Sequence, residues 1–404
     1  MVDFVGSCLE IQNEIGVYAE YDNAKTILVN TPHKTELFMG ILHPDAALFS
    51  CPFDPLEAIK EHQSFIGLLE DNGAKVINVR DVLLADVHNQ DGIALNKLKE
   101  AAKFSLKYFR NDIEDLSGDD YKNSVISTLN PELLVDVILT RPEIHLKSTD
   151  ANTFVSASYK INPLMNLYFL RDQSITTCKG IVLSKMNSDQ RADEVSVIKF
   201  VYDKIGITPL YQIEANGRLE GGDFITTGDV DFIGQGLRTN AEAITQLLEN
   251  KVLCGKKLVV VKDNWYNQEQ MHLDTYFNIM APKKAVLVES RIGVSNNNIM
   301  SLRADIYEQN DQGYELISSD HNFESYLRNN LSYSIIPVPV DDQLKYGVNF
   351  LTIKTNNIIA IDGVSDKYKK ALQDAGVNAT WINFSNLTCG YGAAHCTTQV
   401  IYRV

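Results

Sequence analysis

Apolar and polar positions follow two alternating periods along most of the chain, and the change of period recurs in a fixed order. Residues 174–184, SITTCKGIVLS, place two short apolar segments around a Lys-Gly turn, which predicts a β-hairpin. Apolar residues then recur at helical spacing over 192–205, and Gly206 follows where a helix-ending glycine is expected. A strand at 207–213 completes a unit of hairpin, helix and strand.

The same order of elements returns three more times, although the residues themselves are not repeated. The hairpin, helix and strand of these units are predicted at 224–234, 240–252 and 257–262, at 275–289, 322–329 and 332–338, and at 349–362, 366–375 and 379–384. A longer irregular excursion is expected between the hairpin and the helix of the third of the four units.

A fifth unit is divided between the two ends of the chain. Residues 395–404 predict a strand without a neighbour in sequence, and the strand 25–30, the helix 55–71 and the strand 75–79 supply the rest. Pairing the last strand with the first would close a ring and remove open sheet edges. The pattern therefore predicts an α/β protein with five pseudo-equivalent units in a closed arrangement.

Residues 82–160 do not follow this unit. They predict several helices, for example 130–139, which begins with an N-cap asparagine followed by a proline. The predicted domain organisation is a catalytic α/β domain made of residues 1–81 and 161–404, with residues 82–160 as a helical insertion.

Composition and charge limit which kinds of partner the protein can have and in which cellular compartment it is expected. The net charge of −15 argues against a nucleic-acid partner, because no basic field would attract a polyanion. No apolar run is long enough to span a bilayer, and the acidic N-terminal segment does not resemble a signal peptide. The six cysteines contain no CxxC pair, which predicts unpaired thiols in a reducing, cytoplasmic compartment.

Four polar motifs occupy the same place in the predicted unit, just before or at the first strand of a hairpin. They are NLYFLRD (166–172), LEGGD (219–223), MHLDT (271–275) and GYGAAHC (390–396). Equivalent positions of a closed ring face one pseudo-axis, so these motifs are expected to converge although they are far apart in sequence.

The converging side chains would combine three carboxylates, an imidazole and a thiol, from Asp172, Glu220, Asp274, His272 and Cys396. A cluster this negative repels itself unless it holds a cation. A guanidinium matches paired carboxylates through its planar fork of N–H donors. A thiolate beside carboxylates is a poor magnesium or calcium site, and zinc stays open although its usual ligand spacing is missing.

Each feature has a simpler interpretation when it is taken alone. A single cysteine is usually a small apolar core residue, and the glycines of LEGGD would suit a turn. The coincidence of four motifs at equivalent positions favours a site instead. Arg191 and Arg238, which follow the first two hairpins, would be unremarkable surface residues or would capture a substrate carboxylate in bidentate fashion.

Together, NLYFLRD, LEGGD, MHLDT and the near-terminal HC resemble the arginine deiminase family of the guanidine-modifying enzyme superfamily. The resemblance runs over nearly the whole chain and includes the helical insertion, residues 82–160. It implies the five-bladed α/β propeller, or pentein, fold. The insertion and the two arginines are typical of the members that act on free arginine.

The resemblance also implies roles for individual residues. Cys396 would be the nucleophile, His272 the general acid and base, and Glu220 the carboxylate that orients this histidine. Asp172 and Asp274 would hold the guanidinium. The residues implied to hold the substrate carboxylate are Asn166, Arg191 and Arg238. The implied reaction is hydrolysis of arginine to citrulline and ammonia through a covalent amidino intermediate, without a metal or an organic cofactor.

The loop before the cysteine departs from the family pattern. Tyr391 stands where an arginine is expected, and Ala393 and Ala394 replace glycines. Ala192 replaces the second arginine of a usual pair. Because this loop covers the amino end of the substrate in the family, the departures bear on loop motion and substrate preference.

Three other functions stay open beside hydrolytic deimination. An arginine dihydrolase would release ornithine, and an amidinotransferase would pass the amidino group to an amine, although the insertion argues against the latter. A non-catalytic arginine-binding protein would retain the scaffold alone. Arginine is the expected partner, and a homo-oligomer stays open as the quaternary arrangement.

Overall fold

A computed structural model of the chain describes residues 14–110, 117–150 and 154–404. The N-terminal segment that was judged not to be a signal peptide, and Cys8 within it, lie outside the described residues. None of the helices in the described ranges is long and apolar enough to cross a membrane.

Many helices of the described residues begin at a side-chain cap that the sequence supplies. The helices are α1 (Lys34–Leu42), α2 (Pro55–Asp71), α3 (Val79–Leu84), α4 (Ile93–Ser105), α5 (Asp119–Thr128), α6 (Pro131–Thr140), α7 (Glu194–Lys204), α8 (Ala241–Glu249), α9 (Phe323–Asn329), α10 (Val340–Gln343) and α11 (Asp366–Asp374). The Asp54 side chain accepts the first N–H groups of α2, and Asn130, Asn240 and Ser365 cap α6, α8 and α11 in the same way.

Short strands alternate with these helices. They are β1 (Ala24–Val29), β2 (Lys75–Asn78), β3 (Lys107–Phe109), β4 (Pro142–Ser148), β5 (Val155–Ile161), β6 (Ser174–Thr177), β7 (Gly180–Leu183), β8 (Tyr211–Gln212), β9 (Phe224–Thr226), β10 (Val230–Gln235), β11 (Lys257–Lys262), β12 (Phe277–Ala281), β13 (Lys284–Val288), β14 (Arg303–Asn310), β15 (Gly313–Asn322), β16 (Ser334–Val338), β17 (Leu351–Lys354), β18 (Asn357–Ile361), β19 (Asn378–Ile382) and β20 (Gln399–Arg403).

Five sheets share one strand pattern, in which two strands pair antiparallel and a third lies parallel to the second. The pattern holds for β6–β7–β8, β9–β10–β11, β12–β13–β16, β17–β18–β19 and β20–β1–β2. A helix connects the second and third strands in each, since α7, α8, α9, α11 and α2 fall there. The predicted order of hairpin, helix and strand is therefore confirmed.

The two ends of the chain meet, as predicted, through the antiparallel pair of β1 and β20. Val400 lies opposite Ile27 in this pair, and both side chains are buried. The sheets nevertheless stay small and separate, so the pair does not close one continuous sheet. The expectation that open sheet edges disappear is wrong, because β15 remains an edge strand of its sheet.

Two predicted regions contain strands that the sequence analysis missed. The irregular excursion after the third hairpin is instead the hairpin β14–β15, and β14 extends the sheet of the second unit by pairing with β11. The segment 82–160 contains helices but also most of the sheet β3–β4–β5. Both sets of strands are largely exposed, so the apolar alternation that identifies strands is weak there.

The insertion packs on the body of the molecule through a shared apolar core. Leu98, Leu134 and Ile138 of the insertion lie in the same buried cluster as Val197 and Val201 of α7. Burial of side chains of this size contributes about 1.5–3 kcal/mol each. The insertion is therefore held firmly against the first unit.

The cysteines differ from the prediction. Cys51 is bonded to Cys389, and Cys178 is bonded to Cys254, so four thiols expected to be free are paired. Disulfides persist mainly in oxidising environments, so the cysteines no longer support a reducing, cytoplasmic compartment. Cys396 is the free cysteine of the described residues, and it is buried.

Candidate active site

The four motifs lie at equivalent places in the fold. Asp172 precedes β6, Glu220 precedes the short turn that leads into β9, and Cys396 precedes β20. His272 caps a 3-10 turn, Leu273–Thr275, that leads into β12 and contains Asp274. Each of these four units thus presents its polar residues just before its first strand, as the sequence pattern predicted.

One small cavity collects most of the predicted site residues. Its lining includes Asn166, Asp172, Arg191, Arg238, His272 and Cys396. Glu220 and Asp274 lie behind this lining and contact it through His272 and Cys396. The structure therefore brings all eight predicted residues together. The cavity volume of about 20 Å³ has room for about one water, so the walls must move before an amino acid can enter.

His272 and Glu220 form a buried pair. Glu220 Oε2 lies 2.8 Å from His272 Nε2, and Glu220 Oε1 accepts the Asn187 N–H at 2.9 Å. Burial alone would lower the pKa of His272, but the charge of Asp172 and the hydrogen bond with Glu220 raise it to about 9. Burial is likewise outweighed at Glu220, where His272 lowers the carboxyl pKa to about 2. An imidazolium–carboxylate pair is therefore favoured at neutral pH.

Two carboxylate oxygens in the site have no hydrogen-bond donor. Asp172 Oδ2 accepts Arg191 Nη1 at 2.7 Å, and Asp274 Oδ2 lies 2.7 Å from His395 Nδ1. The second oxygen of each aspartate, Oδ1, is buried and has no hydrogen-bond partner among the described residues, and His272 Nδ1 lies 3.7 Å from Asp172 Oδ1. Buried acceptors are normally satisfied, so this pair of oxygens is suited to accept N–H groups from a bound ligand.

Cys396 lies between opposing influences. Its thiol donates to Asp274 Oδ2 at 3.5 Å, and its sulfur accepts the Asn349 side-chain N–H at 3.1 Å. Burial, followed by the charges of Asp274 and Asp172, raises the pKa of the thiol well above its usual value. In the empty site the neutral thiol is therefore favoured, and a neutral thiol is a poor nucleophile.

The two arginines are bound differently. Arg191 donates to Asp172 and to Glu194, with Nε 3.0 Å from Glu194 Oε2, and its remaining N–H groups face backbone carbonyls. Arg238 Nη2 donates to Gln268 at 2.9 Å, whereas its buried Nε has no partner among the described residues. Arg238 therefore keeps one donor atom without an acceptor, whereas each side-chain nitrogen of Arg191 already donates to at least one acceptor.

Glycines allow the closest approaches in the site. A Cβ atom on Gly222 would lie 2.7 Å from His272 Nδ1, and one on Gly392 would lie 2.8 Å from Cys396 Cβ. Ala393 and Ala394 are fully buried without such conflict. A methyl group therefore fits at Ala393 and Ala394, whereas Gly222 and Gly392 leave no room for one.

The sequence analysis missed Asn349 and gave no role to His395. Asn349 is fully buried and contacts the sulfur of Cys396, while His395 lies 3.3 Å from Glu20 and also contacts Asp274. A signal for Asn349 existed, because it begins the predicted fourth hairpin at the position where the other units carry their motifs. His395 was part of the quoted HC pair, but its partner Glu20 had no pattern to identify it.

A metal ion in this site would meet acidic groups that already have partners within the chain. One atom each from Asp172, Glu220 and His272 lie within 4.8 Å of one another. However, Glu220 and His272 bond to each other, and Arg191 occupies Asp172. These contacts account for the cluster without a metal.

Solved structures share this fold at low sequence identity. The dimethylarginine dimethylaminohydrolase of Pseudomonas aeruginosa superposes with a TM-score of 0.55 and 14% identity, covering 95% of this chain and all of that chain (100%). An amidinotransferase from Microseira wollei gives a TM-score of 0.54 at 15% identity, covering 96% of this chain and 97% of that one. This chain therefore shares the fold of these two enzymes.

Sequence comparison defines the family more narrowly. The family model of arginine deiminase matches residues 45–403, and the chain belongs to this family. The arginine deiminase of Metamycoplasma arthritidis is 24% identical over 410 residues, covering 96% of this chain and 97% of that protein. The arginine deiminase of Streptococcus pneumoniae is 26% identical over 417 residues, covering 96% and 98%.

Proposed function

We propose that this protein hydrolyses free L-arginine to L-citrulline and ammonia, with Cys396 as the nucleophile. The observation that carries the proposal is the pair of unpartnered buried oxygens, Asp172 Oδ1 and Asp274 Oδ1, beside a buried thiol. A guanidinium has the charge and the fork of N–H donors that would satisfy both carboxylates. Membership of the arginine deiminase family supports the same substrate class.

Binding of the guanidinium prepares the thiol. Its positive charge offsets Asp172 and Asp274, whose charges disfavour the thiolate in the empty site. The thiol then releases its proton to solvent, and the sulfur attacks the guanidinium carbon to form a C–S bond. His272, protonated at neutral pH, donates a proton to the departing nitrogen as the C–N bond breaks, and ammonia leaves.

The second half of the reaction restores the enzyme. His272, now neutral, accepts a proton from water, and the resulting hydroxide attacks the amidino carbon. The C–S bond breaks as the sulfur leaves with its negative charge, the hydroxyl proton then passes to the sulfur and restores the thiol, and citrulline keeps the new oxygen as its carbonyl. Glu220 holds the imidazole in place at 2.8 Å throughout these proton transfers. The sequence of steps needs neither a metal nor an organic cofactor.

The substrate carboxylate is assigned to Asn166, Arg191 and Arg238. Arg238 is the strongest member of this set because its Nε is free in the cavity wall. Arg191 holds Asp172 in the empty site, so we infer that an incoming guanidinium competes for Asp172 and releases Arg191 Nη1 for the carboxylate.

The architecture is assigned in the same terms. We propose that the five units form the five-bladed α/β propeller, with residues 1–81 and 161–404 as the catalytic domain and residues 82–160 as its insertion. The common strand pattern of the five sheets supports this assignment. The shared core between α7 and the insertion supports a fixed place for the latter.

The test is product analysis with arginine, in which citrulline, ammonia and ornithine are measured for the parent and for Cys396→Ala. The proposal predicts citrulline and ammonia in equal amounts, and none from the variant. Ornithine as product would identify an arginine dihydrolase. A guanidino product formed from added glycine would identify an amidinotransferase. Binding of arginine without any product would identify a non-catalytic arginine-binding protein.

A further inference from the structure

Asn349 directly precedes the first strand of the fourth unit, which is the one unit without a motif assigned above. It is fully buried and stands two residues before β17. The other four units present a carboxylate, an imidazole or a thiol at this place. The position of Asn349 therefore directs its side chain into the group of residues that surrounds Cys396.

The hydrogen bonds of Asn349 fix which side-chain atom faces the sulfur. Its Oδ1 accepts the backbone N–H groups of Ala393 at 2.9 Å and Cys396 at 3.2 Å. Its Nδ2 donates to the Asp274 carbonyl at 3.2 Å and to Cys396 Sγ at 3.1 Å. An amide turned the other way would oppose oxygen to a carbonyl and N–H to N–H, so the orientation is determined by its neighbours.

We propose that Asn349 is a further catalytic residue, whose side-chain N–H stabilises the Cys396 thiolate; the role rests on the nucleophile assigned above. The sulfur carries its negative charge when it attacks the substrate and again when it leaves. A donor held in place by three other hydrogen bonds needs no reorganisation at either moment. The same amide fixes the loop Ala393–Cys396 against the fourth unit.

Asn349 favours the Cys396 thiolate, which the neighbouring carboxylates disfavour. Asp274 at 3.5 Å and Asp172 raise the pKa of the Cys396 thiol after burial has done so, whereas the hydrogen bond from Asn349 lowers it. The other titratable or charged groups around this sulfur are His272, Arg191, Arg238 and Tyr391 of the cavity lining, together with Tyr346 and Tyr168. Hydrogen bonds from the chain thus partly offset the two carboxylates.

The test is the pH dependence of Cys396 alkylation in the substrate-free protein, with iodoacetamide as probe and mass spectrometry of the Cys396 peptide as readout. Asn349→Ala removes the donor and the acceptor. Asn349→Asp keeps an oxygen for the two backbone N–H groups and replaces the N–H donor with a carboxylate oxygen. In both variants we expect the pH at which the alkylation rate is half of its maximum, the midpoint, to rise by about one unit. Such a rise means about tenfold less thiolate at any pH below the midpoint.

Asn278 provides a matched control. It is as buried as Asn349, and its Nδ2 donates to the carbonyls of Val348 and Phe350, which flank Asn349 in sequence, at 2.9 Å each. Asn278→Ala loosens the same segment without removing a contact to the sulfur, so its midpoint should match the parent. The pH midpoint of alkylation is compared because looser packing changes how easily iodoacetamide reaches the thiol. Such a change alters the alkylation rate at every pH but leaves the midpoint in place.

Two results would overturn the proposal. One is a parent-like midpoint in the Asn349 variants, and the other is an equal rise in Asn278→Ala. If Asn349→Ala does not melt cooperatively, Asn349→Asp decides the question. The alkylation titration uses no arginine and therefore does not depend on the proposed deiminase function. If that function is wrong, the parent protein forms no citrulline, while the titration of its Cys396 thiol still depends on Asn349.

Discussion

At the residue scale, the site is defined by which buried groups are satisfied and which are not. Glu220 and His272 satisfy each other, whereas Asp172 and Asp274 each keep one oxygen without a donor among the described residues. The chain has therefore placed acceptors where a cationic substrate can supply the missing N–H groups. The charge of His272 and the free Nε of Arg238 lead to separate predictions.

Removal of the Glu220 charge should lower the pKa of His272. In Glu220→Gln the imidazole loses the anion 2.8 Å away that favours its protonated form. The parent value of about 9 should therefore fall, by roughly one unit or more. The measurement is NMR titration of histidine side chains in the substrate-free protein, with His272→Asn used to assign the signal. A midpoint that is the same in the parent and Glu220→Gln would contradict the pairing.

Arg238→Ala should separate arginine from agmatine, which lacks the carboxylate. A hydrogen bond to a charged group contributes about 1.5–3 kcal/mol, so KM for arginine should rise at least tenfold. Turnover of agmatine, however slow in the parent, should change little. Steady-state kinetics with both substrates test this prediction. Equal losses for the two substrates would mean that Arg238 supports the fold of the site and not the carboxylate.

At the element scale, most of the unit structure could be predicted because each hairpin, helix and strand buries one apolar face. The strand 257–262 was predicted with the bounds that β11 has, and the helix 55–71 with those of α2. The hairpin β14–β15 was missed because half of its residues face solvent and carry polar side chains. Asn349 was missed because a single asparagine at a strand start has no pattern beyond its place in the repeat.

The disulfides depend on contacts between distant elements and could not be predicted from spacing. Cys51 and Cys389 are 338 positions apart, and Cys389 directly precedes Gly390, which lines the active-site cavity. The Ser50 N–H also donates to the Cys389 carbonyl at 2.6 Å. The Cys51–Cys389 disulfide therefore holds the start of the loop that leads to Cys396 against the segment before α2.

Cys389→Ser should reduce both stability and substrate binding. Loss of a native disulfide lowers the free energy of unfolding by about 2–4 kcal/mol, which urea unfolding without reductant can measure. KM for arginine should rise as well, because the loop is less well held. Cys178→Ser is the control, since Cys178–Cys254 joins elements away from the cavity and should affect stability alone. A Cys389→Ser protein with parental stability and KM would contradict this account.

At the scale of the whole molecule, a buried ionic network joins the chain ends to the site. Glu20 accepts from Arg403 Nη2 at 2.7 Å, and His395, which contacts Asp274, lies 3.3 Å from the same carboxylate. Arg403 also donates to the carbonyls of Asp22 and Thr352 at 2.7 Å. The network connects β20 with the residues before β1 and with the fourth unit, so the position of the site depends on how the ends of the chain meet.

Arg403→Met should destabilise the whole protein, because it leaves Glu20 buried with fewer partners. Removal of one partner from a buried ion pair costs about 3–5 kcal/mol. Chemical unfolding at neutral pH should show this loss as one cooperative transition at lower denaturant. Arg328→Met is a suitable comparison, since Arg328 pairs with Glu324 at the surface and should change the free energy of unfolding little. Equal stabilities for the two variants would show that the network does not hold the chain ends.

The central claim is that Cys396 attacks the guanidinium carbon, and rapid acid quenching during arginine turnover tests it most directly. The quenched protein is digested, and the peptide that contains Cys396 is analysed by mass spectrometry. The account predicts an amidino adduct on Cys396 that appears with arginine and disappears when the substrate is exhausted. Citrulline formation by the parent with Cys396 unmodified at every time point, or undiminished citrulline formation by Cys396→Ala, would contradict it.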